Sequence, residues 1–121
     1  MQTPFEEDKQ HYREVDPRVR EEVGGILEHA FRHERGALPE NIEVQTLEKW
    51  ATEVEAKAEK ANQMAEDALD AARRASEQFA LSHSLEDMEA VQQWEAEAAS
   101  YRREADLLHA EAEQLRKYLP G

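Results

Sequence analysis

The chain has 121 residues, no cysteine and a formal net charge of −13, from 28 acidic and 15 basic side chains. This charge repels nucleic acid phosphates and anionic lipid surfaces, so we expect no nucleic acid partner and no membrane partner. The absence of cysteine excludes disulfides and thiol chemistry. Because the sequence contains neither an apolar run long enough to cross a bilayer nor the apolar core of a secretory signal, we expect a cytoplasmic protein.

The N-terminal residues 1–15 are polar and include Pro4, which argues against an early helix. They predict a flexible arm that precedes one helical domain over residues 16–121.

The first helix is predicted over residues 17–35. Asp16-Pro17 is a typical helix start, because Asp caps the first turn and Pro in that turn gives up no needed hydrogen bond. Gly36 is a plausible C-terminal cap. Gly24-Gly25 lie in the middle of this helix, and we interpret the pair as a place of close packing. The predicted apolar face consists of Val19, Val23, Ile26, Leu27, Ala30 and Phe31.

Two longer helices are predicted over residues 41–80 and 84–118, with Ser82-His83-Ser84 as the turn and either serine as a cap. Their apolar residues recur at alternating steps of three and four, which is typical of helices that pair side by side. The first seam, at heptad positions a and d, is Val44, Leu47, Ala51, Val54, Ala58, Ala61, Ala65, Ala68, Ala72, Ala75 and Phe79. The second seam is Val91, Trp94, Ala98, Tyr101, Ala105, Leu108, Ala112, Leu115 and Leu119.

A turn centred on His83 makes the numbers of facing residues sum to 166 in an antiparallel pair. Each large residue at a d position of the third helix then faces an alanine of the second, which is the matching that a close-packed interface needs. The four pairs are Ala51/Leu115, Ala58/Leu108, Ala65/Tyr101 and Ala72/Trp94. The sequence therefore predicts an all-α fold of three helices, with a shorter N-terminal helix packed on a long antiparallel, alanine-rich coiled-coil hairpin.

An alanine seam buries little apolar area, and stabilisation scales with that area at roughly 25 cal/mol per Å². Larger apolar residues lie off the seams, namely Trp50, Met64 and Leu69 on the second helix and Met88, Leu107 and Tyr118 on the third. The first helix is about half as long as the hairpin helices, so it can cover only part of them. We therefore expect a homodimer or a hetero-complex that buries this apolar stripe.

The segment Ala75–Tyr101 contains no lysine or arginine but several acids, among them Glu86, Asp87 and Glu89. In a hairpin this segment forms an acidic tip. Acids near a helix N-terminus also stabilise the helix, so the tip is interpreted either as a solvated helix end or as a docking site for a basic partner.

His29 and His33 are four residues apart on the first helix, which places both imidazoles on one face and makes them candidate metal ligands. Ala30 stands where the H-E-x-x-H motif of metalloproteases has its glutamate. The other interpretation is two surface histidines, and we expect no metal and no other cofactor.

Arg102 and Arg103 precede His109 at a spacing that resembles the Arg-x4–6-His motif of HEPN-family ribonucleases, which are small helical proteins. The resemblance covers these residues alone. It implies metal-independent RNA cleavage by an Arg–His pair across a dimer, whereas the acidic charge of the chain opposes RNA binding.

These patterns together favour a non-enzymatic protein–protein interaction or assembly module, such as an adaptor, a small scaffold or a chaperone-like subunit. One alternative is an acidic inhibitor that mimics nucleic acid and occupies a basic groove. The other is a metal-binding or hydrolytic helical protein that uses His29/His33 or Arg102/His109.

Overall fold

The structure, a computed structural model, describes residues 17–32 and 34–119. This part of the chain is all-helical, with α1 at Pro17–Phe31, α2 at Val44–Ser82 and α3 at Leu85–Lys117. α2 and α3 pack along each other as an antiparallel hairpin, and α1 is the shorter third helix, which confirms the predicted fold class. The predicted arm 1–15 and the predicted cap Asp16 lie outside the described residues.

The described residues fall into two compact units. Unit 1 runs to Glu55 and resumes at Leu108, so it holds α1, the N-terminal part of α2 and the C-terminal part of α3. Unit 2 is Ala56–Leu107 and holds the rest of α2 and α3 with the turn that joins them. None of the helices in the described ranges is long and apolar enough to cross a lipid bilayer.

Unit 1 has a core of large aliphatic and aromatic side chains. The apolar face predicted for α1 is buried at Val23, Ile26, Leu27, Ala30 and Phe31. From the other elements of this unit, the core takes Ile42, Leu47, Trp50, Ala51, Val54, Leu108, Ala112 and Leu115.

α1 ends at Phe31, earlier than the predicted residue 35. Arg32 takes a left-handed conformation with φ of 48°, and its N–H donates to the Glu28 carbonyl at 2.9 Å. Gly36, the predicted cap, also has a positive φ of 65°, but it lies farther along in the loop. The early end lets the Arg35 guanidinium lie 4.3 Å from the centre of the buried Phe31 ring.

Close packing is confirmed at Gly24 and not at Gly25. A Cβ atom on Gly24 would lie 2.8 Å from Leu38 Cδ1, whereas one on Gly25 would meet no atom within 4 Å. Arg20 holds the loop in this position, because its Nε donates to the Pro39 carbonyl at 2.8 Å and its Nη2 to the Leu38 carbonyl at 3.1 Å. The glycine therefore lets the loop after α1 return onto the helix.

The turn between α2 and α3 caps both the C-terminal end of α2 and the N-terminal end of α3. His83 takes a left-handed conformation with φ of 52°, and its N–H donates to the Phe79 carbonyl at 2.8 Å. The Ser84 hydroxyl accepts the N–H of Asp87 at 3.2 Å, which confirms Ser84 as the N-cap of α3. Ser82 supports this cap, since its hydroxyl oxygen accepts the Ser84 N–H at 3.2 Å.

The two seams are buried along most of their length, as the heptad predicts. Their buried members in unit 2 are Ala58, Ala61, Ala65, Ala68, Ala72, Ala98 and Ala105. Trp94 is the main departure, because its side chain is 40% exposed. Unit 2 contains two helices only, and alanine methyl groups cover just part of an indole ring. The facing of individual pairs, such as Ala72 with Trp94, stays a prediction.

Candidate functional site

Unit 2 carries an open hollow of about 330 Å³ between α2 and α3. We call it the Trp94 hollow. It is lined by Met64, Asp67, Ala68, Ala71 and Arg74 of α2 and by Trp94, Glu97 and Tyr101 of α3.

Small side chains on α2 create the space in this hollow. Ala68 lies at a seam position, and Ala71 lies at the adjoining g position, directly before Ala72. An alanine extends no farther than Cβ, so the large residues around it keep part of their surface in water. Met64 is 39% exposed and Trp94 is 40% exposed, and both line the hollow. The result is an apolar floor with aromatic and thioether side chains.

Charged groups surround this apolar floor. The lining contains the carboxylates of Asp67 and Glu97 and the guanidinium of Arg74. The wider tip adds acids, since Ala75–Tyr101 carries six carboxylates and no lysine or arginine. The surroundings of the hollow are therefore negative on balance.

The predicted tip acids differ in what they do. Glu86 and Glu89 are exposed. Asp87 is half-buried and belongs to the turn, because its carboxylate accepts the Ser82 hydroxyl and its N–H is bonded to Ser84. Asp87 thus stabilises the start of α3, and Glu86 and Glu89 are the acids available to a partner.

Trp50, one of the predicted interaction residues, lies in the part of the apolar stripe that this chain covers itself. Its side chain is 6% exposed, inside the core of unit 1. The Arg35 guanidinium lies 5.5 Å from the centre of its ring and also pairs with Glu53. The loop after α1 therefore covers this g position, which the sequence pattern alone left open.

The other predicted apolar residues are spread over both units. Met64, Leu69 and Leu107 are exposed in unit 2, and only Met64 of these three lines the hollow. Tyr118 is half-buried in unit 1. The sequence analysis missed Trp94 as a surface residue, because its heptad position assigned it to the seam. The detectable signal was an indole placed opposite alanines beyond the reach of the short first helix.

The candidate metal ligand His29 contacts a carboxylate. Its Nδ1 lies 2.8 Å from Glu111 Oε1 of α3, within unit 1. His33 lies outside the described residues. Across residues 17–32 and 34–119, no three histidine or carboxylate side chains are grouped as a metal ion would need.

The Arg–His pair of the ribonuclease resemblance is divided between the units. Arg102 is exposed in unit 2, and His109 is half-buried in unit 1. In unit 1 the Glu55 carboxylate is hydrogen-bonded to Arg116, and this bond lowers the pKa of Glu55 below its usual range. The charges of Arg116 and, to a smaller extent, His109 act in the same direction, and desolvation opposes them.

A second cavity, of about 230 Å³, lies in unit 1 where the loop after α1 returns. Its walls include Gly24, Leu38 and Arg35. Arg35 already pairs with Glu53 and stacks on Phe31, so its part in this cavity is to hold the loop.

Comparison of the chain with protein-family models, curated proteins and solved structures gives no match. Among the described residues, the Trp94 hollow is the feature that most resembles a binding surface.

Proposed function

We propose that this protein is a non-enzymatic protein–protein interaction module that binds its partner through the Trp94 hollow. The observation that carries the proposal is the exposure of Trp94 and Met64, at 40% and 39%, on the floor of one hollow. Trp and Met are enriched at protein interfaces, and buried Trp side chains contribute much of the binding free energy there. A cluster of such residues facing water marks a binding surface.

The shape of the hollow favours a protein partner over a small molecule. Small-ligand pockets bury about 70–90% of the ligand and span about 300–1,000 Å³. The Trp94 hollow reaches the lower end of that range and is open, because only α2 and α3 form its walls. A surface of this kind fits a protruding side chain of another protein.

The polar groups of the hollow support the proposed role in binding. They are the carboxylates of Asp67 and Glu97, the guanidinium of Arg74 and the Tyr101 hydroxyl. Charged groups around an apolar floor are the arrangement of an interface, with a polar rim and an apolar centre.

The proposal is tested by affinity capture from a lysate of the organism that encodes the chain. Wild type is compared with Trp94→Ala, and the matched control is Gln93→Ala, an exposed position on the same helix that does not line the hollow. Proteins identified with wild type and with the control are expected to be lost with Trp94→Ala.

Each identified partner is then purified and titrated by calorimetry. We expect Trp94→Ala to weaken binding by about 30-fold, the scale of an interface hot spot, while circular dichroism and melting temperature stay close to wild type. Equal affinities of wild type, Trp94→Ala and Met64→Ala for every partner would refute the proposed surface.

A further inference from the structure

We infer that the occupant of the Trp94 hollow is a basic amphipathic helix of a partner protein, with apolar side chains in the hollow and Lys or Arg on its flanks. The inference rests on the proposed function and specifies the partner of the same site.

Unit 1 shows how a helical segment covers the corresponding heptad positions. There the g positions include Trp50 on α2 and Glu111 on α3. Trp50 is buried and Glu111 is largely buried, where α1 and its following loop pack against them. Each is met by a nitrogen-bearing side chain, Arg35 over the Trp50 ring and His29 on the Glu111 carboxylate. An apolar helix face with basic neighbours is thus what this chain itself uses to cover its g positions.

In unit 2 the same heptad positions are covered only in part, since Met64 is exposed and Ala71 and Glu97 are half-buried. Met64 and Ala71 are g residues of α2, and Glu97 is a g residue of α3. All three line the Trp94 hollow. They offer what Trp50 and Glu111 offer in unit 1, namely an apolar surface next to a carboxylate. A helix with the chemistry of α1 and its loop is therefore a complementary occupant.

The charge around the hollow determines which side chains are favoured on the flanks of that helix. The segment Ala75–Tyr101 carries no lysine or arginine and six acids, namely Glu77, Glu86, Asp87, Glu89, Glu95 and Glu97. In the lining, Asp67 and Glu97 outnumber Arg74. Opposite charge across an interface speeds association and excludes wrong partners, so Lys and Arg are favoured on the partner.

A second copy of this chain is disfavoured as the occupant. A dimer through this surface would bring together two chains that each carry a net charge of −13. Their mutual repulsion opposes association, and a second copy offers no net positive charge to complement the acids of the hollow. A nucleic acid is excluded by the same repulsion.

A helix also fits the geometry between two packed helices. Helix-in-groove recognition uses apolar side chains at i, i+3, i+4 and i+7, which form one stripe. The unbranched side chain of Met64 adapts to such anchors, and the Trp94 ring accepts a Lys or Arg against its face.

The test uses the full chain and three synthetic peptides of about 18 residues, ~27 Å long as a helix. The first has leucines at helical stripe positions and lysines on the flanks. The second replaces every lysine with glutamate. The third keeps the composition of the first but disperses the leucines around the helix. Binding is followed by fluorescence anisotropy of labelled peptide at low and at physiological salt.

We expect the lysine peptide to bind at least tenfold more tightly than either of the other two, and more weakly as salt rises. Trp94→Ala is expected to weaken its binding about tenfold or more. Equal binding of the lysine and glutamate peptides, or binding of none at millimolar concentration, overturns the inference.

Two double variants test whether the acids of the hollow supply the electrostatic contribution to peptide binding. The double variant Asp67→Asn/Glu97→Gln removes two acids of the lining and is expected to weaken binding of the lysine peptide by about fivefold or more. Glu59→Gln with Asp106→Asn removes two exposed acids of unit 2 outside the lining and is expected to change binding less than about twofold. Equal effects of the two double variants overturn the assignment to the hollow.

Failure of this inference is distinguishable from failure of the proposed function. A captured partner that depends on Trp94 but presents a neutral or acidic segment overturns the basic helix and leaves the interaction module intact. If Trp94→Ala captures the same partners as wild type, the proposed interaction surface itself is overturned.

Discussion

The Glu55 carboxylate shows how a single ion pair is set by heptad position. Glu55 and Arg116 both occupy e positions, which lie directly after a d position of their seams. Their hydrogen bond, followed by the charge of Arg116, holds the pKa of Glu55 below its ordinary value of 4.5. Both side chains remain well exposed, so water screens the pair.

Arg116→Gln is expected to raise the pKa of Glu55 into its usual range, because the main cause of the lowering is removed. A carboxylate with a lowered folded-state pKa stabilises the fold above its unfolded pKa, and this contribution is lost as pH falls through the folded pKa. The stability difference between wild type and variant should therefore shrink on acidification.

Carbon NMR titration of the Glu55 carboxyl measures the shift directly, with Lys117→Gln as the control for a lost positive charge in unit 1. An unchanged Glu55 titration in Arg116→Gln would contradict the assigned pair.

Gly24 and Gly25 form a matched pair for testing close packing at the residue scale. Gly25→Ala is expected to stabilise the fold by ~0.5–1 kcal/mol, because alanine is the better helix former and its Cβ meets open space. Gly24→Ala is expected to stabilise the fold less than Gly25→Ala or to destabilise it. The added Cβ would lie 2.8 Å from Leu38 Cδ1, so the leucine side chain must move away. Urea unfolding of both variants measures the difference, and equal gains would argue against the contact with Leu38.

At the scale of the element, the hairpin depends on alanines that let α2 and α3 approach closely. Ala65 is fully buried in the first seam, whereas Ala96 on α3 is exposed. Larger side chains at seam positions would separate the helices or take strained rotamers. The alanine content of this chain is therefore a packing requirement as well as a helix preference.

Ala65→Leu is expected to destabilise the fold by ~1–3 kcal/mol through overpacking. Ala96→Leu is expected to change the free energy of unfolding by less than ~0.5 kcal/mol, because an exposed position leaves the added atoms in water. Thermal unfolding of the two variants compares them directly. Similar melting temperatures would contradict the assignment of Ala65 to the seam.

The register of the hairpin is testable within unit 2. Ala61→Cys with Ala105→Cys is expected to form a disulfide within one chain, because both positions are buried seam residues and their numbers sum to 166. Ala61→Cys with Ala98→Cys, one heptad away from this pairing, is expected to crosslink poorly. Mass spectrometry after mild oxidation of dilute protein identifies the products, and crosslinks between chains alone would exclude the hairpin pairing.

At the scale of the whole molecule, the net charge of −13 governs association. We expect the isolated protein to sediment as a monomer from low to physiological salt, because two chains of this charge repel each other. Sedimentation velocity at several concentrations measures this. A dimer that Trp94→Ala dissociates would show that a second copy occupies the hollow.

Periodicity and capping residues were sufficient to predict the helices but not the covered surface. The alternation of three and four steps predicted α2 and α3, and Ser84 marked the start of α3 correctly. Trp94 was predicted in the buried seam and is exposed, whereas Trp50 was predicted as an interaction residue and is buried. Heptad position describes which side of a helix a residue takes, whereas exposure depends on what packs against that side.

The sequence by itself determined the class of fold, the seams and the acidic tip, because helix periodicity, small side chains and charge are local properties. Tertiary structure alone decided where α1 ends and how its loop returns over Gly24. It also decided that Arg35 covers Trp50 and that the hollow beside Trp94 stays open. These outcomes depend on contacts between segments distant in the chain, whose free energies no local pattern encodes.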